Sequence, residues 1–248
     1  MPTLEEFFRA HPKAALAFSG GTDSALLLWA GKRYGCDLRA YYAKTAFQPA
    51  FEYRDALRLA RELDVPMTVV EVDILGLPGA AANGPERCYH CKRTLFSHLR
   101  EAARKDGYSL LLDGTNASDD AGDRPGMRAI RELEVRSPLR ACGLTKADVR
   151  RLSREAGLFT WDKPAYACLA TRVPAGEAIT AETLARVEGA EDALFRLGYT
   201  DFRVRVFHSA ARLQLPRGQM ERAVREAEEL RQALKPYFTP ILLDLEGR

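Results

Sequence analysis

Ala14-Ala15-Leu16-Ala17-Phe18-Ser19-Gly20-Gly21-Thr22-Asp23-Ser24-Ala25-Leu26-Leu27-Leu28 is the stretch that decides the fold. Its first five residues are a short apolar run, the pattern of a buried strand. Its last four, continued by Trp29-Ala30, open a helix. Between the two stand Ser19, Gly20, Gly21, Thr22, Asp23 and Ser24. The glycines let the backbone turn with positive φ and leave no Cβ in the way of a ligand. The amides that follow sit at a helix N-terminus, where they favour phosphate. Ser19, Thr22 and Ser24 add hydroxyl donors. The loop is not a Walker A loop, because the Gly-Lys-Ser/Thr ending is missing.

Outward from this loop the chain alternates. A short helix over 4–10 precedes the strand at 13–18 and the helix at 23–34. A strand over 38–43, a helical apolar face over 51–63 and a β-rich run over 67–72 follow. This order implies a parallel sheet wrapped by helices, with ligands at the carboxyl ends of the strands. Residues 77–86 are rich in Pro, Gly and Ala and read as a loop. A helix over 92–105 leads to a fourth strand at 108–112, which ends in Asp113-Gly114-Thr115-Asn116. Thr145 caps a helix that stops at Gly157. Residues 159–174 are irregular. Beyond Pro174 the order is helix (180–197), two short strands (202–207, 212–216), helix (219–234) and strand (241–245). That is a small α+β unit, so the expected domains are 1–174 and 175–248.

Composition narrows the class. The chain has 248 residues, 46% of them hydrophobic, ample for a buried core. Its formal net charge of +3 argues against a strongly electrostatic nucleic-acid binder. No apolar run is long enough to span a membrane. The start, Met1-Pro2-Thr3-Leu4-Glu5-Glu6-Phe7-Phe8, lacks the shape of a signal peptide, so cytoplasm is expected. Five cysteines in such a chain point to metal or catalysis rather than a disulfide framework.

Three constellations carry chemistry. Cys88 and Cys91 are spaced so that both sulfurs can face one ion, and Cys168 lies far along the chain. Three thiolates suit a [4Fe–4S] cluster with one open iron. They also suit zinc with His90 or an outside ligand, the Cys88–Cys91 pair alone suits a redox dithiol, and all three suit plain burial. Cys36 and Cys142 have no partner spacing and read as structural. Next, Gly114, Thr115 and Asn116 top the fourth strand, where they face the ligand expected at the strands' carboxyl ends or form a plain strand-to-helix turn. Arg124, Arg128 and Arg136 suit phosphate or carboxylate, or a solvated belt against Asp119, Asp120 and Asp123. Last, Arg203 and Arg205 are two apart on a strand and share a face, an anion clamp. Glu188 and Glu191 are three apart on the preceding helix and share a face too.

Ser-Gly-Gly-x-Asp-Ser resembles the PP-loop of the N-type ATP pyrophosphatases. The resemblance implies an adenine nucleotide alpha hydrolase-like domain that splits ATP between its α- and β-phosphates, holds pyrophosphate on the loop and adenylates a substrate, with Mg²⁺ on the phosphates. The nucleotide then falls to Ser19, Gly20, Gly21, Thr22, Asp23, Ser24, Gly114, Thr115, Asn116 and Arg128, with Asp23 also catalytic. Asp113-Gly114-Thr115-Asn116-Ala117, Arg124-Pro125-Gly126-Met127-Arg128-Ala129 and Val135-Arg136-Ser137-Pro138-Leu139 resemble the LarE-type ATP-dependent sulfur transferases. So do Ala167-Cys168-Leu169-Ala170-Thr171-Arg172-Val173-Pro174 and Arg203-Val204-Arg205.

That resemblance covers the chain to about residue 215. It implies adenylation of a carboxylate of a pyridinium mononucleotide and its conversion to a thiocarboxylate, in the synthesis of the nickel-pincer nucleotide cofactor. In one type of this family the cysteine matching Cys168 gives up its own sulfur. In another, cysteines matching Cys88, Cys91 and Cys168 hold a [4Fe–4S] cluster carrying transferable sulfide. All three are present here, which favours the cluster type. Arg203 and Arg205 inherit the grip on the substrate phosphate, and Glu191 a place at the same site. The family usually has Glu where this chain has Gln214, which puts metal binding there in doubt. Members form homo-oligomers. The rival readings are an amide-forming PP-loop synthetase, which leaves the three cysteines without a task, a tRNA thiolase, and a non-catalytic nucleotide-responsive cluster protein.

Overall fold

Ala14, Ala15 and Leu16 are fully buried, and the strand that holds them is covered on both faces. Ala14, Leu16 and Phe18 pack into one apolar cluster with Leu26, Leu28, Leu59 and Val149. Ala15 packs into the other with Tyr41, Leu99 and Leu111. Alternate side chains of one strand feeding two cores is the mark of a parallel sheet with helices on both faces.

The computed structural model describes residues 1–119 and 125–248. In chain order the elements are α1 (Leu4–Ala10), β1 (Lys13–Ala17), α2 (Thr22–Arg33), β2 (Asp37–Lys44), α3 (Ala50–Glu62), β3 (Met67–Glu71), α4 (Pro78–Ala81) and α5 (Arg87–Lys105). Then come β4 (Leu111–Leu112), α6 (Pro125–Glu132), α7 (Pro138–Ala141), α8 (Lys146–Glu155) and a 3₁₀ turn (Leu169–Arg172). The last are α9 (Ala181–Arg196), β5 (Arg203–Phe207), β6 (Ala210–Gln214), α10 (Arg217–Arg225), α11 (Ala227–Leu234) and β7 (Ile241–Leu243).

The chain divides into two units, residues 1–73 with 88–163, and 74–87 with 164–248. In the first, the strand order is β3-β2-β1-β4, all parallel. The chain runs outward from β1 to β3, then returns to β4 on the other side of β1. The order reverses between β1 and β4, and a crevice opens at their carboxyl ends. This is the α/β class expected from the alternation. Arg136 extends β4 through its backbone, bridging Leu112. Its place in the fold is thus a sheet edge. Arg124 lies outside the described residues.

The second unit has a three-stranded sheet, β5-β6-β7, with β5 and β6 antiparallel and β6 and β7 parallel. It begins at Pro164, ahead of the boundary expected near Pro174, and takes in residues 74–87. The reason is local. The Gly176 and Ile179 amides donate to the carbonyls of Asn83 and Ala81, and Arg172 is buried against Glu191 of α9. Two helices also differ from expectation. α5 starts five residues early, so Cys88 and Cys91 lie on a helix. The single helix over 219–234 is two, α10 and α11, meeting at Glu226. Among the described residues no helix is long and apolar enough to cross a membrane.

Candidate active site

The loop Ser19-Gly20-Gly21 joins β1 to α2. Gly20 has φ +73°, and a Cβ there would lie 3.0 Å from the Glu52 carbonyl and 3.1 Å from the Ala56 Cβ. Only glycine fits both the turn and the approach of α3. Ser19 Oγ and Ser24 Oγ are 3.1 Å apart, and Ser24 Oγ donates to the Gly21 carbonyl at 3.2 Å. Gly21 caps α2 without a side chain, so no hydroxyl claims the first amides of the helix from that position. Those amides suit an anion. Thr22 is different: its hydroxyl donates to the Thr160 carbonyl at 2.8 Å and it is buried. Its hydroxyl, expected to face phosphate, anchors the loop instead.

The turn after β4 docks on the same helix end. A Cβ on Gly114 would meet the Asp23 Cβ and the Ser24 amide at 3.2 Å, so glycine permits the contact. Buried Asp113 shapes the turn, accepting from Thr115 Oγ1 at 2.5 Å and Ser137 Oγ at 2.6 Å. Asp23 accepts from Asn116 Nδ2 at 3.1 Å and pairs with Lys146 Nζ. Lys146 escaped the sequence reading. The signal was Thr145, whose capping box with Asp148 places Lys146 at the first helical position of α8.

Ser19, Asp23, Ser24, Gly114 and Thr115 line a cleft of about 610 Å³ within the first unit. Cys88, Lys92, Phe96 and Met127 line it too. Arg128 is not in that lining. Its guanidinium stacks on Tyr89 at 4.1 Å and lies 3.9 Å from Glu132. Cys88 is exposed and Cys91 half-buried at the start of α5, and three apart they share a helix face. Within either unit, among the described residues, no three His, Cys, Asp or Glu side chains gather as metal ligands. The soft pair Cys88 and Cys91 still suits iron–sulfur or zinc over magnesium.

In the second unit, Glu191 is 1% exposed. Its carboxylate accepts from Arg172 Nε at 2.7 Å, Arg172 Nη2 at 3.2 Å, the Val204 amide at 2.9 Å and the Tyr166 hydroxyl. Burial, then the Glu191 charge, raises the Tyr166 pKa, so the phenol stays a donor. Every lone pair of Glu191 is answered from inside the unit. Glu191 is thus held by Arg172, Val204 and Tyr166 of its own unit, beside the two arginines whose site the resemblance implies for it.

Arg203 donates to the carbonyls of Phe202 at 2.6 Å and Ala165 at 2.5 Å. Arg205 donates to Gln214 Oε1 at 2.5 Å and the Thr171 carbonyl at 2.6 Å. Among the described residues neither has a carboxylate partner, while Arg172, Arg212 and Arg248 pair with Glu191, Asp244 and Asp201. Burial lowers the pKa of both Arg203 and Arg205, and the charge of Arg172 lowers it further. Two guanidiniums bonded only to carbonyl and amide oxygens, whose charge Glu191 offsets in part through space, suit a further anion. Gln214 bridges the cluster, donating to Asp244 Oδ2 at 2.9 Å. The neutral amide serves an acceptor role toward Arg205 and a donor role toward Asp244, and Glu at this position would lose the second.

A parallel sheet with this glycine loop at its switch point defines a PP-loop ATP-utilising enzyme, a class that uses ATP with Mg²⁺ on its phosphates. No protein-family model matches the chain. It is 38% identical over its whole length to the uncharacterized protein slr1717 of Synechocystis sp., covering 94% of that protein. It is 32% identical over 99% of its length to pyridinium-3,5-bisthiocarboxylic acid mononucleotide synthase of Lactiplantibacillus plantarum, covering 90% of it. A tRNA-specific 2-thiouridylase of Clostridium botulinum is 25% identical over 60% of the chain. The chain belongs to the LarE-type ATP-dependent sulfur transferases, and it is an ATP-dependent sulfurtransferase.

Proposed function

We propose that this enzyme adenylates a carboxylate of a pyridinium mononucleotide and exchanges one carboxylate oxygen for sulfur, in the synthesis of a nickel-pincer nucleotide cofactor. The observation that carries the reading is the relationship to the L. plantarum synthase, which runs through both units. The carboxylate oxygen attacks the α-phosphorus of ATP and pyrophosphate leaves, held by Ser19, Gly20, Gly21, Ser24 and the first amides of α2. The acyl adenylate is then open to a sulfur nucleophile, and AMP leaves with the carboxylate oxygen. Asn116 and Lys146 hold Asp23 at the phosphate end of the cleft. Arg203 and Arg205 hold the phosphate of the acceptor. Cys88, Cys91 and Cys168 are the residues that would hold a [4Fe–4S] cluster, which when bound supplies exchangeable sulfide. The test is an anaerobic incubation with ATP, Mg²⁺, the pyridinium mononucleotide and sulfide. AMP, pyrophosphate and a thiocarboxylate are expected. ADP and phosphate would refute the nucleotide chemistry, and an unchanged acceptor the substrate.

Replacing Arg203 or Arg205 by Ala is expected to weaken acceptor binding by about tenfold to a hundredfold, the loss of a charged hydrogen bond. ATP binding should hold, because the nucleotide cleft is built from residues of the other unit. Calorimetry with each ligand separates the two. An equal loss of ATP affinity would assign the pair to the nucleotide.

A further inference from the structure

Residues 164–172 carry Cys168 and hold only a short 3₁₀ turn, so no ladder satisfies their carbonyls. Arginines take them instead: Arg203 on Ala165, Arg172 on Ala167, Arg87 on Ala170 and Arg205 on Thr171. Both carbonyls beside Cys168 are held. Arg172 Nη1 donates to the Ala167 carbonyl at 3.0 Å and to Thr171 Oγ1 at 2.8 Å. Thr171 Oγ1 in turn donates to the Cys168 carbonyl at 2.9 Å, and the Thr171 amide does so at 3.0 Å. One hydroxyl thus accepts from the guanidinium and donates to the cysteine peptide. The far side of Arg172 is locked on Glu191, and its side chain has no solvent exposure.

We propose that Thr171 and Arg172 are positioning residues for Cys168. Glu191 fixes Arg172, Arg172 orients the Thr171 hydroxyl, and that hydroxyl fixes the peptide from which the thiol projects. Fold stability alone does not call for the last link. Leu169 and Ala170 are already fully buried and anchor the chain there, whereas Thr171 and Cys168 are half-buried. The inference deepens the proposed function, since it rests on Cys168 taking part in sulfur transfer, as cluster ligand or as donor.

Removing Arg172 would strand a buried carboxylate and endanger the fold, so the test uses Thr171. Thr171→Val deletes the hydroxyl and Thr171→Ser restores it. The readout is the iodoacetamide alkylation rate of each cysteine, followed by peptide mass spectrometry on the full chain, purified in air and checked to be iron-free. In Thr171→Val the Cys168 rate is expected to rise about fivefold or more against exposed Cys88, as the hydroxyl's neutral hydrogen bond to the Cys168 carbonyl and the charged one it accepts from Arg172 are both lost. Thr171→Ser should return it to the parent rate. A parent rate for Cys168 in Thr171→Val overturns the proposal, and so does a parallel rise at Cys88, which would mean general loosening. Sulfur transfer by Cys168→Ser is measured separately. If it persists, the role of Cys168 falls, while the alkylation rates still decide whether Thr171 positions the residue.

Discussion

Gly21→Val abolishes ATP turnover while leaving the protein folded: that is the expected result, and the two loop glycines separate cleanly on it. At Gly21 a Cβ meets only Ser19 Oγ, at 3.4 Å, an ordinary contact. Its φ is −81°, open to any residue. A valine is therefore accepted by the chain, yet its methyl groups occupy the space over the first amides of α2 where phosphate must sit. Two or three charged hydrogen bonds are lost, each worth roughly 1.5–3 kcal/mol. ATP affinity should fall by about a hundredfold or more. Gly20→Ala acts differently. Positive φ and the Glu52 carbonyl at 3.0 Å oppose the side chain before any ligand arrives, so the thermal midpoint should drop along with ATP binding. Scanning calorimetry and nucleotide titration of both variants check this. Unimpaired ATP binding by Gly21→Val would remove the loop from the nucleotide site.

What the sequence made legible was local. The apolar run of β1, the glycine pair and the helix after it need only neighbours to be read. Strand and helix alternation then fixed the α/β class. What stayed hidden depended on which face an element turns inward. Glu191 stands with Leu184, Val187 and Leu194 at helical spacing, which puts it on the apolar face of α9. Glu188, three residues before it, is not among the buried residues of that helix, so the spacing the two glutamates share does not show that Glu191 turns inward. The start of α5 was missed because nothing in Gly84-Pro85-Glu86 spells a cap. α6 was hidden among arginines and aspartates, although Pro125 at its start and buried Met127 and Ile130 three apart mark a helix. Lys146 and Ser137 reach their partners from remote segments, and no local pattern reports such a meeting.

The other large effect concerns sulfur, where two chemistries divide on one residue. Cys88 lines the nucleotide cleft beside the PP-loop. Cys168 sits on the arginine-held segment of the second unit. If Cys168 alone donates, its sulfur attacks the acyl adenylate and AMP departs. The Cα proton of Cys168 is then removed and the Cβ–S bond breaks, leaving thiocarboxylate and dehydroalanine. That route consumes the residue, allows one turnover and makes no use of Cys88. If the three cysteines hold a cluster, the protein is not consumed, and Cys88 is indispensable because soft thiolate ligation has no substitute in alanine. Cys88→Ala is therefore expected to lose both the iron chromophore and multiple turnover, while still making AMP and pyrophosphate from ATP and acceptor. Absorption spectra, iron and sulfide analysis and product counts per chain give the measurement, on protein purified without oxygen. If Cys88→Ala transfers sulfur as well as the parent, and its Cys168 peptide is lighter by one H₂S, the cluster assignment is wrong. The donor is then Cys168, and the side chain of Cys88 is only part of the cleft wall.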